Sequence, residues 1–133
     1  MERQRITVIK IRRPVHDALN EDLQWFGSSL GLFGLRDKDK SCFRIFIELV
    51  KSLRSREMLS SDNLAHQLHL SRGTVVHHLN KLMESGMVVH ERRGYILRTG
   101  NMEHIIEELQ KDLNRAMGDL LRVAKKIDDE LEL

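Results

Sequence analysis

The chain has 133 residues, 41% of them hydrophobic and 32% charged, with a formal net charge of +2. That length accommodates one domain or a small domain with an appendage. The composition is that of an ordinary soluble chain, which excludes disorder throughout, collagen and low-complexity sequence. Apolar runs are only a few residues long, as in Met87-Val88-Val89, so neither a transmembrane helix nor a signal-peptide core is expected.

In chain order, the first segment is Arg5-Ile6-Thr7-Val8-Ile9-Lys10-Ile11-Arg12-Arg13, β-branched, basic and ended by Pro14. It reads as a short edge strand or an extended arm. Val15, Leu19, Leu23, Phe26 and Leu30 then recur at intervals of four and three and predict a helix over about 15–30, with Trp25 beside the stripe. Gly31-Leu32-Phe33-Gly34 reads as a loop packed by its own apolar side chains. The connector Arg36-Asp37-Lys38-Asp39-Lys40-Ser41 offers Asp39 and Ser41 as N-caps. Behind it Phe43, Phe46, Ile47, Val50 and Leu53 mark one helix face. Ile45 and Leu49 widen that face past half the circumference, the pattern of a core helix.

Ser60-Ser61-Asp62 caps a short helix with Leu64, Ala65 and Leu68 inward, and His69-Leu70-Ser71 interrupts it. Ser71 opens a second helix to about Ser85 with Val75, Leu79 and Leu82 inward, and Gly86 stands at the C′ position. Met87 to Glu91 and Tyr95 to Leu97 read as two strands joined by Arg92-Arg93-Gly94. From Asn101 to Leu133 the apolar residues Met102, Ile106, Leu109, Leu113, Ala116, Leu120, Val123 and Ile127 alternate at four and three, a heptad pattern widened by Ile105, Met117, Leu121, Ala124 and Leu131. A helix of thirty residues is about 45 Å long, too long to be covered by the rest of so small a chain. Part of its stripe is expected to meet another chain. The sequence thus divides into 1–40, an arm and helix; 41–98; and 101–133, a helix suited to dimerisation.

Charge follows this division. Residues 41–98 hold nine Lys/Arg against five acids and five of the seven histidines, whereas 101–133 hold five against nine. A basic middle beside an acidic tail points the middle toward a polyanion.

The span Leu64-Ala65 … Leu70-Ser71-Arg72-Gly73-Thr74-Val75-Val76-His77-His78-Leu79-Asn80-Lys81-Leu82-Met83-Glu84-Ser85-Gly86-Met87-Val88 closely resembles the ArsR-like and MarR-like regulator superfamily. Periodicity alone predicts the helices and the hairpin; the resemblance is what implies DNA. It implies a mainly α fold with a small β-hairpin wing, a winged helix-turn-helix over 41–98 followed by the long C-terminal helix. The opening forty residues look like those of some archaeal proteins of this type. By this resemblance the second helix enters a major groove. Ser71 and Thr74 donate to phosphate, and Arg72 reaches guanine O6/N7 or a phosphate. Gly73 allows close backbone approach, His77 and Lys81 line the same face, and Val76 offers a thymine methyl an apolar contact. Arg92 and Arg93 at the wing tip reach a minor groove or flanking phosphate. His78 matches the family's inward-leaning histidine, a packing residue.

The expected molecule is a homodimeric, sequence-specific, double-stranded-DNA-binding regulator in the cytoplasm, with Ile106, Leu109, Leu113, Leu120 and Ile127 as the dimerisation residues of a coiled coil. No cofactor, catalytic group or metal is expected. The Cys-x-Cys of thiolate sensors is absent, and His66 with His69 lacks a third ligand. There is no phosphate-binding loop, His-Glu-x-x-His or elbow serine. The lone Cys42 cannot form an internal disulfide, fits a reducing compartment and reads as a small helix residue. Trp25, Phe26, Leu32 and Phe33 read as packing in preference to a ligand pocket. The rival reading is a winged-helix protein-interaction module of the transcription or chromosome machinery, with the long helix binding a different protein.

Overall fold

In the computed structural model, which describes residues 3–15, 18–34, 37 and 39–133, the basic opening segment is an extended arm without strand pairing. Two backbone hydrogen bonds hold it, from Arg5 N to Glu84 O (2.8 Å) and from Ile9 N to Ser29 O (2.7 Å). Trp25 Nε1 donates to Ile11 O at 3.0 Å, and the Arg13 guanidinium lies 5.8 Å from the centre of the indole ring.

Helix α1 (Leu19–Ser29) starts four residues later than the apolar spacing predicts. Residues 16 and 17 of the expected helix lie outside the described residues, as do Arg36 and Lys38 of the charged connector. Val15 and Leu19 are 87% and 74% exposed, so the first two positions of the stripe gain nothing from burial. The N-cap residue, Ala18, has no side chain to accept from the first turn. After α1 the loop folds inward. Leu32 is fully buried, and Phe33 lies so close over Gly27 that a Cβ there would stand 2.2 Å from the ring. Phe33 meets Phe43 and Phe46 edge-on at 5.2 and 5.7 Å, and Phe26 stacks on Phe46 at 6.3 Å. Phe26, Leu32 and Phe33 are therefore packing residues, and Trp25 belongs to the arm contact.

Helix α2 (Ser41–Ser52) is the core helix, but its buried face is turned from the expected one. Cys42, Ile45, Phe46, Leu49 and Ser52 are buried, while Ile47, Val50 and Leu53 are half-buried. Arg44, Glu48 and Lys51 mark the polar side of α2, and the remaining apolar arc is wide enough that small Cys42 and Ser52 also bury. The helix starts at Lys40, which is left-handed at φ 55°. Its first amides are held by aspartates: Ser41 N donates to Asp39 Oδ1 and Cys42 N to Asp37 Oδ1, each at 3.2 Å.

Helices α3 (Ser61–Leu68) and α4 (Arg72–Glu84) and strands β1 (Val88–Glu91) and β2 (Gly94–Leu97) follow as the caps predict. Ser60 and Ser71 each accept from the amide three residues on, at 3.0 and 3.1 Å. His69 turns the chain in the left-handed region at φ 57°, and Gly86 ends α4 at φ 85°. Leu64, Val75, Leu79 and Leu82 bury beside Ile45, Phe46 and Leu49, with Met87, Val88 and Leu97 closing the core. Each such side chain contributes about 1.5–3 kcal/mol.

The hairpin is antiparallel, pairing Val88 with Leu97 and Glu91 with Gly94. Leu59 forms an isolated bridge to the hairpin through Leu59 N to Tyr95 O (2.9 Å) and Tyr95 N to Leu59 O (2.8 Å). Gly94 is fixed by that approach: its φ is 141°, and a Cβ would stand 2.5 Å from Leu59 O.

The chain divides into two compact units, Met1–Gly100 and Asn101–Leu133. The second is one helix, α5 (Met102–Leu131), capped by Asn101, whose Oδ1 accepts from His104 N at 2.8 Å. Along α5, Leu113, Met117, Leu120, Leu121, Val123, Ile127 and Leu131 are exposed. Of the residues expected at a dimer seam, Ile106, Leu113, Leu120 and Ile127 are exposed and Leu109 is buried.

Candidate nucleic-acid interface

Helix α4 is two-sided because its apolar residues fall at 75, 79 and 82, one face of a 3.6-residue repeat. The opposite face carries Gly73, His77, Asn80 and Lys81, all exposed, with Thr74, Val76 and Glu84 half-buried at its margins. The helix begins at Ser71 and Arg72, which are exposed. Nothing in the fold needs Gly73: a Cβ there would meet no atom within 4 Å.

The two hydroxyls at the start of α4 are not equivalent. Ser71 Oγ accepts from Thr74 N and donates to Thr74 Oγ1 at 2.8 Å. The proton of Ser71 is therefore spent inside the cap, and Thr74 keeps its own hydroxyl proton for an outside acceptor. Arg72 is also engaged: its Nε lies 3.3 Å from Asp62 Oδ1 on the first turn of α3, with both side chains over 70% exposed. That pair is weak and leaves the terminal nitrogens of Arg72 open. Asp62 is a partner that spacing does not disclose. Asn80 lies three residues beyond His77 on the exposed face, and its amide has the donor and acceptor that an adenine edge matches.

His78 faces α2. Its Nε2 lies 2.8 Å from Ser41 Oγ, and Ser41 in turn donates to Asp37 Oδ1 at 3.2 Å. With the Ser41 proton committed to Asp37, its oxygen accepts and His78 Nε2 carries the hydrogen. Burial holds the imidazole below its ordinary pKa, against the opposing pull of Asp37. Asp37, Asp39, Ser41, Cys42, His77, His78 and Lys81 line a cleft of about 220 Å³ here. Hydrogen bonds from Ser41 hold the Asp39 carboxyl below the usual range. Burial pushes the Cys42 thiol up to about 12, and its Sγ points at Leu32 O, 3.2 Å away. That thiol is protonated at neutral pH and a poor nucleophile. Among the described residues no three His, Cys, Asp or Glu side chains are grouped to hold a metal ion.

In the wing, Arg92 and Arg93 form the two-residue turn and are fully solvated. Neither needs a left-handed backbone, since the positive φ falls on Gly94. His90 stacks on Tyr95 with ring centres 4.1 Å apart, which stiffens the stem. Two elements thus present basic or polar side chains outward: one face of α4 and the tip of the hairpin.

Residues 47–89 match the family model described as bacterial regulatory protein, arsR family. The match runs from the middle of α2 through α3, the turn and α4 into β1, which includes the α4 face of this surface but stops before the hairpin tip. It stops short of the first forty residues, whose likeness to archaeal proteins stays an expectation of the sequence. No curated protein and no solved structure gives a significant match. No helix among the described residues is long and apolar enough to cross a membrane. Helix, turn and helix in the segment that this family's model describes, followed directly by a hairpin, support a DNA-binding transcriptional regulator with an ArsR-type winged helix-turn-helix domain.

Proposed function

We propose that the protein binds double-stranded DNA sequence-specifically as a homodimer, with α4 in the major groove and the wing on flanking backbone or in the minor groove. The observation that carries this is the outward face of α4, where Gly73, His77 and Lys81 are exposed beside Arg72 and Thr74, and a Cβ at Gly73 would meet no atom within 4 Å. In this reading the Arg72 guanidinium reads guanine or holds a phosphate. Thr74 donates to a phosphate, as do the first amides of the helix beside Ser71. Val76 meets a thymine methyl, and Arg92 and Arg93 add backbone charge.

The exposed apolar stripe of α5, including Leu113, Leu120 and Ile127, supports association through that helix. Two copies would set their recognition helices about 34–36 Å apart, one turn of DNA, and a pseudo-palindromic site follows from that symmetry.

The test is selection from random-sequence duplex DNA at two salt concentrations, alongside the mass in solution. A dimer that enriches an inverted repeat supports the reading. A dimer with salt-sensitive binding and no enriched sequence makes the protein architectural, and a monomer that ignores DNA leaves the protein-interaction module. Arg72→Ala is expected to lower specific affinity by about 1–3 kcal/mol and to relax preference at one base pair. Unchanged selectivity in this variant would refute the base contact.

A further inference from the structure

The outward stripe of α4 does not end well for a DNA-binding surface. One turn after Lys81 comes Glu84, at the carboxyl end of the helix, where the backbone dipole is also negative. Bare, that end would repel a phosphate. The structure seats the N-terminal arm there. Arg5 N donates to Glu84 O at 2.8 Å, and Gln4 Nε2 reaches Ser85 O at 3.4 Å. Arg3 Nη2 lies 3.0 Å and Arg5 Nε 3.9 Å from Glu84 Oε1. Arg5 and Thr7 share a small cleft with Lys81 and Glu84. Two guanidiniums therefore meet one carboxylate, and their side chains remain 73% and 69% exposed. Each guanidinium has five donors, of which Glu84 engages only part.

We propose that the arm is part of the DNA-binding surface: Arg3 and Arg5, seated at the carboxyl end of α4, bind a phosphate beyond the edge of the groove that the helix enters. This rests on the reading of α4 as the DNA-facing helix. The partner is the DNA backbone and not a base, because the guanidiniums are shared with Glu84 and exposed, an arrangement suited to a point of negative charge. The backbone anchors at Arg5 and Ile9 are independent of the side chains at 3 and 5. Neutralising those side chains thus leaves these two backbone bonds in place.

The experiment uses the full chain and measures affinity for a random-sequence duplex across a series of salt concentrations, with the thermal midpoint followed in parallel. Arg3→Gln with Arg5→Gln is expected to lower affinity about tenfold at low salt and to reduce the slope of log affinity against log salt by about 1, given about 0.9 per phosphate contact. Arg3→Lys with Arg5→Lys should restore most of the slope. Lys10→Gln with Arg12→Gln removes two cations of the same arm that lie along α1, and is expected to change the slope less. A wild-type slope in the Arg3→Gln, Arg5→Gln protein would make the arm a structural strap and overturn the proposal. So would an equal change in both pairs, which would reduce the effect to net charge. Wild-type protein that binds no duplex at low salt would defeat the reading of α4 instead, and that outcome is visible before any variant is made.

Discussion

Helices α2 and α5 are both strongly amphipathic, yet they spend their apolar side chains differently. α2 turns Ile45, Phe46 and Leu49 wholly out of water within its own unit, and even its less apolar positions bury. α5 keeps Leu113, Met117, Leu120, Leu121, Val123 and Ile127 in solvent over most of its length. Hydropathy by itself does not separate these fates. What separates them is that α2 has neighbours on several sides, whereas α5 is thirty residues of one helix with no partner element in its own unit. The first pattern encodes folding and the second, on our reading, association.

The largest expected effect falls on α2. Phe46→Ala removes a fully buried ring that stacks on Phe26 and edges Phe33, and should cost about 3–5 kcal/mol, read as a shift in the denaturation midpoint. A loss below about 1 kcal/mol would mean that the aromatic cluster collapses to fill the space. On α5, Leu120→Lys with Ile127→Lys should leave the unit Met1–Gly100 folded and weaken the proposed dimer by a hundredfold or more. That corresponds to roughly 3 kcal/mol lost from two buried side chains, measured by sedimentation across concentrations. If the mass in solution does not change, the stripe is not the seam.

The same division between inside and outside can be tested within α4. Gly73→Ala meets no atom of the chain and replaces a poor helix former by the best one, so it should stabilise the protein by up to about 1 kcal/mol. If the backbone at Gly73 approaches DNA, the same change should weaken binding several-fold. A variant that is more stable and binds as well as wild type would remove Gly73 from the interface. The smallest effect belongs to the seam of α2 and α4. His78 has its pKa lowered by burial, so over the pH range just below 6.5 the unfolded chain binds more protons than the folded one. Stability should therefore fall as pH drops through that window. His78→Asn should flatten this dependence, as followed by denaturation at pH 7.5 and 5.5.

Much of the fold is legible in the sequence where its signals are local. Ser60 and Ser71 cap helices through their own side chains, Gly86 takes a left-handed backbone, and the 75–79–82 spacing fixes which side of α4 is buried. What was not legible depends on distant neighbours. The burial of Cys42 and Ser52 on α2 depends on the elements packed around that helix, and Val15, 87% exposed, gains no burial that would extend α1 to it. Within the candidate site, residue types announce Arg72 and Thr74, but not that Asp62 holds one and Ser71 the other. The seating of the arm at Glu84 rests partly on backbone groups, which every residue carries, so no residue type signals it.

The bridge at Leu59 ties the hairpin to the start of α3. Two backbone hydrogen bonds tie Leu59 to Tyr95 in the stem of the wing, and the next residue, Ser60, caps α3. Asp62, two residues on, holds Arg72 at the head of α4. The hairpin and the start of α3 are thus joined through main-chain hydrogen bonds, and the stem of the wing is anchored whatever side chains its tip carries.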